Sequence, residues 1–175
     1  MSKRKFVVRK AEPPAIQRIT VGGYKSISRA QSIDIRPLTI LAGANSSGKS
    51  SIMQPLLLLK QTLEAAYNPG ALLLDGANIK FTSAEQMFSR TDKGRRGNSF
   101  SIGLEDSSGN SITIYFTKPA KNGLAVRRMD FSGDGNEGSL RIDMPAEEII
   151  EFLAEYVSVE DSLLEKIKPL FTVRI

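Results

Sequence analysis

The stretch Gly43-Ala44-Asn45-Ser46-Ser47-Gly48-Lys49-Ser50, continued by Ser51, decides how this chain is read. It fits the Walker A pattern G-x4-G-K-[ST] at every defined position. Gly43 and Gly48 allow backbone conformations that a Cβ would penalise, so successive N–H groups can turn inward around an anion. Lys49 brings a point positive charge for phosphates. Ser50 offers a hydroxyl to a divalent metal and opens a helix whose N-terminal dipole end points the same way. By average composition, about one chain in a hundred of this length would carry such a string by accident.

The flanks agree with that reading. Leu38-Thr39-Ile40-Leu41-Ala42 is a short continuous apolar run, which predicts a strand buried on both faces directly before the loop. From Ser50 to about Tyr67 the spacing of Ile52, Leu56, Leu59 and Leu63 predicts a helix with those residues on its apolar face. Pro55 falls in its first two turns, where a missing N–H costs least.

Upstream, Ala15–Val21 and Ser32–Arg36 alternate and are expected to pair as antiparallel strands around Tyr24-Lys25-Ser26-Ile27. Downstream, alternating segments at 99–104, 111–117, 124–131 and 139–144 are separated by turn residues and predict an antiparallel β-meander. Pro145 then opens two helical stretches, one with Ile149, Ile150, Leu153 and Val157 on a face, the other with Leu163, Leu164, Ile167 and Leu170. The division expected is a flexible basic arm over 1–14, a lobe over 15–145 with the P-loop at 43–51 and the meander at 99–144, and a helical segment over 146–175 leading into a remainder beyond it.

Composition narrows the chemistry. The chain has 175 residues, no cysteine and no histidine. Disulfides, thiolate nucleophiles, Cys/His zinc sites and histidine general bases are therefore excluded. No apolar run reaches the roughly 20 residues needed to span a bilayer, and no apolar stretch follows Met1-Ser2-Lys3-Arg4-Lys5, so a cytoplasmic address is expected. The net charge of +5 is concentrated before residue 30, where eight basic residues face only Glu12. Such an arm can be a solvated leader or a contact for DNA or another acidic surface.

The order Ile16–Val21, Gly23-Tyr24-Lys25-Ser26-Ile27, then Pro37-Leu38-Thr39-Ile40-Leu41-Ala42-Gly43 through Ser51 is more specific than the loop alone. It resembles the N-terminus of ABC-type ATPases of the RecF/SMC/OLD-like group. Within that group it is most similar to antiphage-defence ATPases of the Septu (PtuA) type and their retron-associated relatives. The likeness is good over about residues 15–90. It implies an α/β fold of the P-loop NTPase class, here the N-terminal lobe of an ABC-type head.

The resemblance further implies ATP and Mg²⁺ as cofactors, held on Gly43, Ala44, Asn45, Ser46, Ser47, Gly48, Lys49, Ser50 and Ser51. Lys25 and Ser26 match a turn near the nucleotide base. Gln86 is the candidate for a Q-loop glutamine that joins Ser50 in the metal shell. Partners implied are a second copy in an ATP-sandwiched homodimer, an HNH-type nuclease, a reverse transcriptase with its nucleic acid, and DNA; no membrane is implied.

Two motifs of that group are missing. Hydrolysis needs a Walker B Asp-Glu pair and a signature from the opposite subunit. Leu72-Leu73-Leu74-Asp75 looks like the first half of Walker B, but Gly76 stands where Glu is needed. It reads as a strand running into a turn. Ser107-Ser108-Gly109 and Ser132-Gly133-Asp134-Gly135 read as hairpin turns, not as a signature. The functional expectation is an ATP-binding and hydrolysing subunit that controls a DNA-acting effector. The alternative is a non-hydrolysing scaffold held together by nucleotide. A P-loop kinase is disfavoured because no Arg-rich lid follows.

Overall fold

The computed structural model describes residues 15–45, 47–90, 94–119, 123–133 and 135–156, the last four without their side chains. The basic arm, Ser46, Asp134, Val157 and the second helical face at 163–170 lie outside the described residues.

Six strands form one antiparallel sheet: β1 (Ile16–Gly22), β2 (Gln31–Asp34), β3 (Ser99–Asp106), β4 (Ser111–Thr117), β5 (Ala125–Gly133) and β6 (Asn136–Arg141), in the order β2-β1-β3-β4-β5-β6. The alternation that predicted each strand also divides the sheet into two faces. Ile19 and Val21 of β1, Phe100 and Ile102 of β3 and Phe116 of β4 point to the buried face. Cross-strand pairs Val21↔Ile102, Ile102↔Ile114 and Phe100↔Phe116 keep these side chains together. The Phe100 and Phe116 rings stack at 4.8 Å, and Tyr24 meets Phe100 edge-on at 5.5 Å. The other face is polar. Arg18 bridges Asp34 at 2.9 Å and Glu105 at 3.2 Å, and Thr20 meets Ser32 at 2.7 Å.

The meander is present with a shifted last strand: β6 runs over Asn136–Arg141 instead of 139–144. The Gly133↔Asn136 pair closes β5 onto β6 in a tight turn, and this brings the return strand in early. Joining β1 to β3 fuses the expected strand pair and the meander into one sheet.

Helix α1 (Lys49–Leu63) lies on the buried face. Its most buried residues are Ser51, Ile52, Pro55, Leu58 and Gln61; of the expected stripe Ile52 is buried and Leu56 and Leu59 are half-buried against the core, while Leu63 is 85% exposed. The run Leu56-Leu57-Leu58-Leu59 offers an apolar residue in every direction, so spacing alone does not fix which face turns inward. Pro55 is fully buried in the second turn.

The strand expected at Leu38–Ala42 does not form. No strand is assigned there, and Leu38 and Ile40 are each 77% exposed. A strand buried on both faces needs neighbours on both edges, and no strand of the described residues runs beside this one. Pro145 precedes α2 (Ala146–Tyr156), where Phe152 packs on Phe131 of β5 with ring centroids 5.3 Å apart.

Candidate nucleotide-binding site

Between Ala42 and α1 the described loop residues carry neither strand nor helix. Gly48 is the loop's pivot, with φ +95° at the residue that caps the helix. A side chain there would be strained by that backbone. Its Cβ would also lie 3.2 Å from Ser26 Oγ. A Cβ on Gly43 would come within 2.9 Å of Ser47 Oγ. Both glycines are therefore required by close approach within the cradle as well as by chain direction.

Lys49 curls back over the loop. Its Nζ donates to the Gly43 and Ala44 carbonyls, each at 2.7 Å. An ammonium has three protons, so two hold the loop's shape while the third and the full charge stay at its mouth. Inside the loop, Ser47 N–H donates to Ala44 O at 3.2 Å.

The turn at Tyr24–Ile27 forms the facing wall. Tyr24 and Ile27 exchange backbone hydrogen bonds at 2.9 and 2.8 Å, and Lys25 takes a left-handed φ of 47° at the tip. Ser26 Oγ donates to Ser51 Oγ at 3.0 Å, which ties this wall to the first turn of α1. Tyr24, completely buried, anchors the turn, and its hydroxyl reaches Gln54 at 3.4 Å. Burial pushes the Lys25 ammonium below its usual range, and its Nζ sits 4.6 Å from the centre of the Phe81 ring.

Between the two walls lies a cleft of about 370 Å³ lined by Lys25, Ser26, Asn45, Ser47, Gly48, Lys49, Ser50 and Ser51. The structure thus brings together every described residue expected to hold nucleotide except Gly43 and Ala44, which form the loop's base beneath Lys49. The lining carries two ammonium groups and four hydroxyls and no carboxylate. That donor set suits a polyanion. It fits the phosphate tail of a nucleotide, and Ser50 is placed to offer its hydroxyl to a metal that arrives with it. Among the described residues no group of three acids gathers that could hold a metal.

Gln86 does not line this cleft. It sits in a short 3-10 turn (Ala84–Met87) and its amide is engaged with Thr82, through Thr82 Oγ1 at 2.9 Å and Thr82 N at 3.3 Å. Its neighbour Met87 accepts a 2.8 Å hydrogen bond from Lys25 N, and Ser89 N donates to Gly23 O at 2.8 Å. The Gln86 segment is thereby strapped to the back of the Lys25–Ser26 turn.

The apparent half of a Walker B motif is structural, and in place of the expected strand at Leu72–Leu74 there is only an isolated bridge between Asp75 and Lys80. Leu74–Phe81 closes on itself through Phe81 N to Leu74 O at 2.7 Å and Gly76 N to Ile79 O at 3.1 Å. Asp75 is exposed and pairs with Lys80 at 3.4 Å. The loop wraps the buried amide of Gln61 on α1. Gln61 donates to Leu73 O at 2.6 Å and Ile79 O at 3.1 Å, and accepts from Asn78 N and Ile79 N at 3.2 and 3.0 Å. Sequence reading missed this clasp, because Gln61 stands between Lys60 and Thr62 and nothing in the string marks it as the buried member of that polar run. Ser107-Ser108-Gly109 is a turn, organised by Asp106 Oδ1 accepting from Ser108 N and Asn110 N.

A family model described as the AAA ATPase domain matches residues 15–171. The search of curated proteins finds no match. No helix among the described residues is long and apolar enough to cross a membrane.

Proposed function

The chain belongs to the AAA ATPase domain family, and from that premise we propose that it is the nucleotide-gripping lobe of an ATP-driven head that controls a DNA-acting effector. The observation that carries the reading is Lys49, whose ammonium sits on the Gly43 and Ala44 carbonyls at the mouth of a cleft without carboxylates. In this reading the loop N–H groups and Lys49 hold the phosphates, Ser50 offers its hydroxyl to Mg²⁺, and Lys25 and Ser26 border the nucleoside. Bound Mg²⁺-ATP supplies the phosphoanhydride and the charge that draws a second head onto the cleft. Gln86 reaches the metal shell only if its bond to Thr82 is exchanged.

The resemblance to antiphage ATPases makes an HNH-type nuclease, with or without a reverse transcriptase, the effector of choice, and a nucleotide-sandwiched homodimer the working form. The sequence holds no Asp-Glu dipeptide. Water activation in this scheme therefore draws on carboxylates supplied from elsewhere.

Titration with a fluorescent ATP analogue tests the reading. Lys49→Ala removes an ammonium and its charge-assisted bonds, and a loss of about 3 kcal/mol, roughly a hundredfold in Kd, is expected. Unchanged affinity would overturn it. The acid-free lining also favours a second reading, a scaffold in which ATP stays intact as glue. Recovery of unhydrolysed ATP from the purified protein after prolonged incubation would select it.

A further inference from the structure

A second cleft, of about 430 Å³, lies at the far end of the sheet and takes no part in the nucleotide site. Its walls include Tyr115 of β4, Arg127 and Arg128 of β5, and Arg141 of β6 with Asp143 just beyond. Three features of the pairing are unusual. Arg128 and Arg141 are direct partners across β5 and β6, and like charges placed directly opposite each other destabilise an antiparallel pair. The register between β4 and β5 slips between Tyr115 and Phe116, and this bulge adds Arg127 beside the pair. The Arg128 guanidinium lies over the Tyr115 ring at 4.3 Å.

The local acids leave charge over. Asp130 pairs with Arg128 at 3.0 Å and Asp143 with Arg141 at 3.4 Å, while Arg127 has no acid partner among the described residues. The two partnered arginines are each about half exposed, at 43% and 53%, so their pairs are weak and exchangeable. Three guanidiniums beside an aromatic plate on an open sheet face match the needs of a flexible phosphodiester chain, with cations for phosphates and a π-surface for a base.

We propose that the Tyr115–Arg127–Arg128–Arg141 cleft binds single-stranded nucleic acid, its phosphates on the arginines and a base stacked on the Tyr115–Arg128 plate. Ser101, the cross-strand partner of Tyr115, and the Ser99–Thr117 pair extend this face with hydroxyls on the β3 side, while the Thr113 side is closed off by the carboxylate of its partner Asp130. A duplex is too stiff to offer an unstacked base to the plate, so it binds more weakly.

Fluorescence anisotropy with a dye-labelled 20-nucleotide strand, as DNA and as RNA, against the full chain tests this. Arg127→Gln/Arg141→Gln should weaken binding at least tenfold. It should also reduce the slope of log K against log salt by about 1.4, the value for two phosphate contacts on a single strand. Tyr115→Leu should cost about tenfold with the slope kept, and affinity for the ATP analogue should stay at the wild-type value in both variants. Wild-type affinity and slope in the arginine double variant would overturn the proposal, as would equal binding of a blunt duplex or an acidic peptide. Arg127→Lys/Arg141→Lys separates charge from fold: it should keep the slope, and a loss of slope there counts against the site.

Discussion

Replacing Gly48 by Ala isolates how much the cradle depends on one missing carbon. Two costs add at this position. The first is conformational: at φ +95° an L-residue sits in the left-handed region at about 1–2 kcal/mol. The second is contact. The new methyl would stand 3.2 Å from Ser26 Oγ, so Ser26 must move by a few tenths of an ångström. Its 3.0 Å bond to Ser51 Oγ is then weakened by about 1 kcal/mol. Gly70 provides the control, since its φ is +82° and nothing lies within 4 Å of its would-be Cβ. Gly70→Ala carries the first cost alone. In thermal melts Gly48→Ala should fall below Gly70→Ala by roughly 2–4 °C, the shift for about 1 kcal/mol in a chain of this size. Only Gly48→Ala should lose nucleotide affinity. Adding Ser26→Ala removes the crowding oxygen, so the double variant should be less destabilised than the sum of the singles by about 1 kcal/mol. Equal melting shifts for the two glycines, with strict additivity on Ser26→Ala, would refute the reasoning.

Two further outcomes follow from interactions away from the cradle. Gln61→Leu strips four backbone partners of their amide in a site only 4% exposed, and should lower stability by about 2–4 kcal/mol in urea unfolding; a loss under about 1 kcal/mol would contradict the clasp. Lys118, whose ammonium contacts the Glu85 carboxylate, holds that group down to about 2, with its own backbone and Ser83 assisting. The folded value is depressed, so the contribution is complete above the ordinary carboxylate range near 4.5 and is lost as pH falls from there through about 2. Carboxyl NMR titration should show Glu85 still ionised at pH 3 in the native protein, and protonating at higher pH in Lys118→Met.

The sequence is most legible where chemistry is local. The strands at 16–22 and 111–117 were readable from alternation alone, because period two is set by the residues themselves. The cradle was readable because its glycines, lysine and serine each have a separate physical duty. What could not be read is which element lies next to which. Alternation in Ile16–Gly22 says that one face is buried, but not that β3, some eighty residues later, lies against it. The apolar run at Leu38–Ala42 reports a demand for neighbours, and the described residues do not meet it. Within α1, a continuous leucine run hides which face turns inward, and the polar run Lys60-Gln61-Thr62 hides which of its members is buried.

The loop around Gln61 has an evolutionary corollary. A Cβ on Gly76 would fall 2.5 Å from the Gln61 amide carbon and 2.6–2.7 Å from its oxygen and nitrogen. The position next to Asp75 is therefore closed to glutamate so long as Gln61 keeps its seat. Mutation cannot turn this look-alike into a working acid pair one substitution at a time; it must first dismantle the fastening that holds the helix down. The polypeptide has committed that spot to architecture, and Asp75 serves the loop's edge through Lys80.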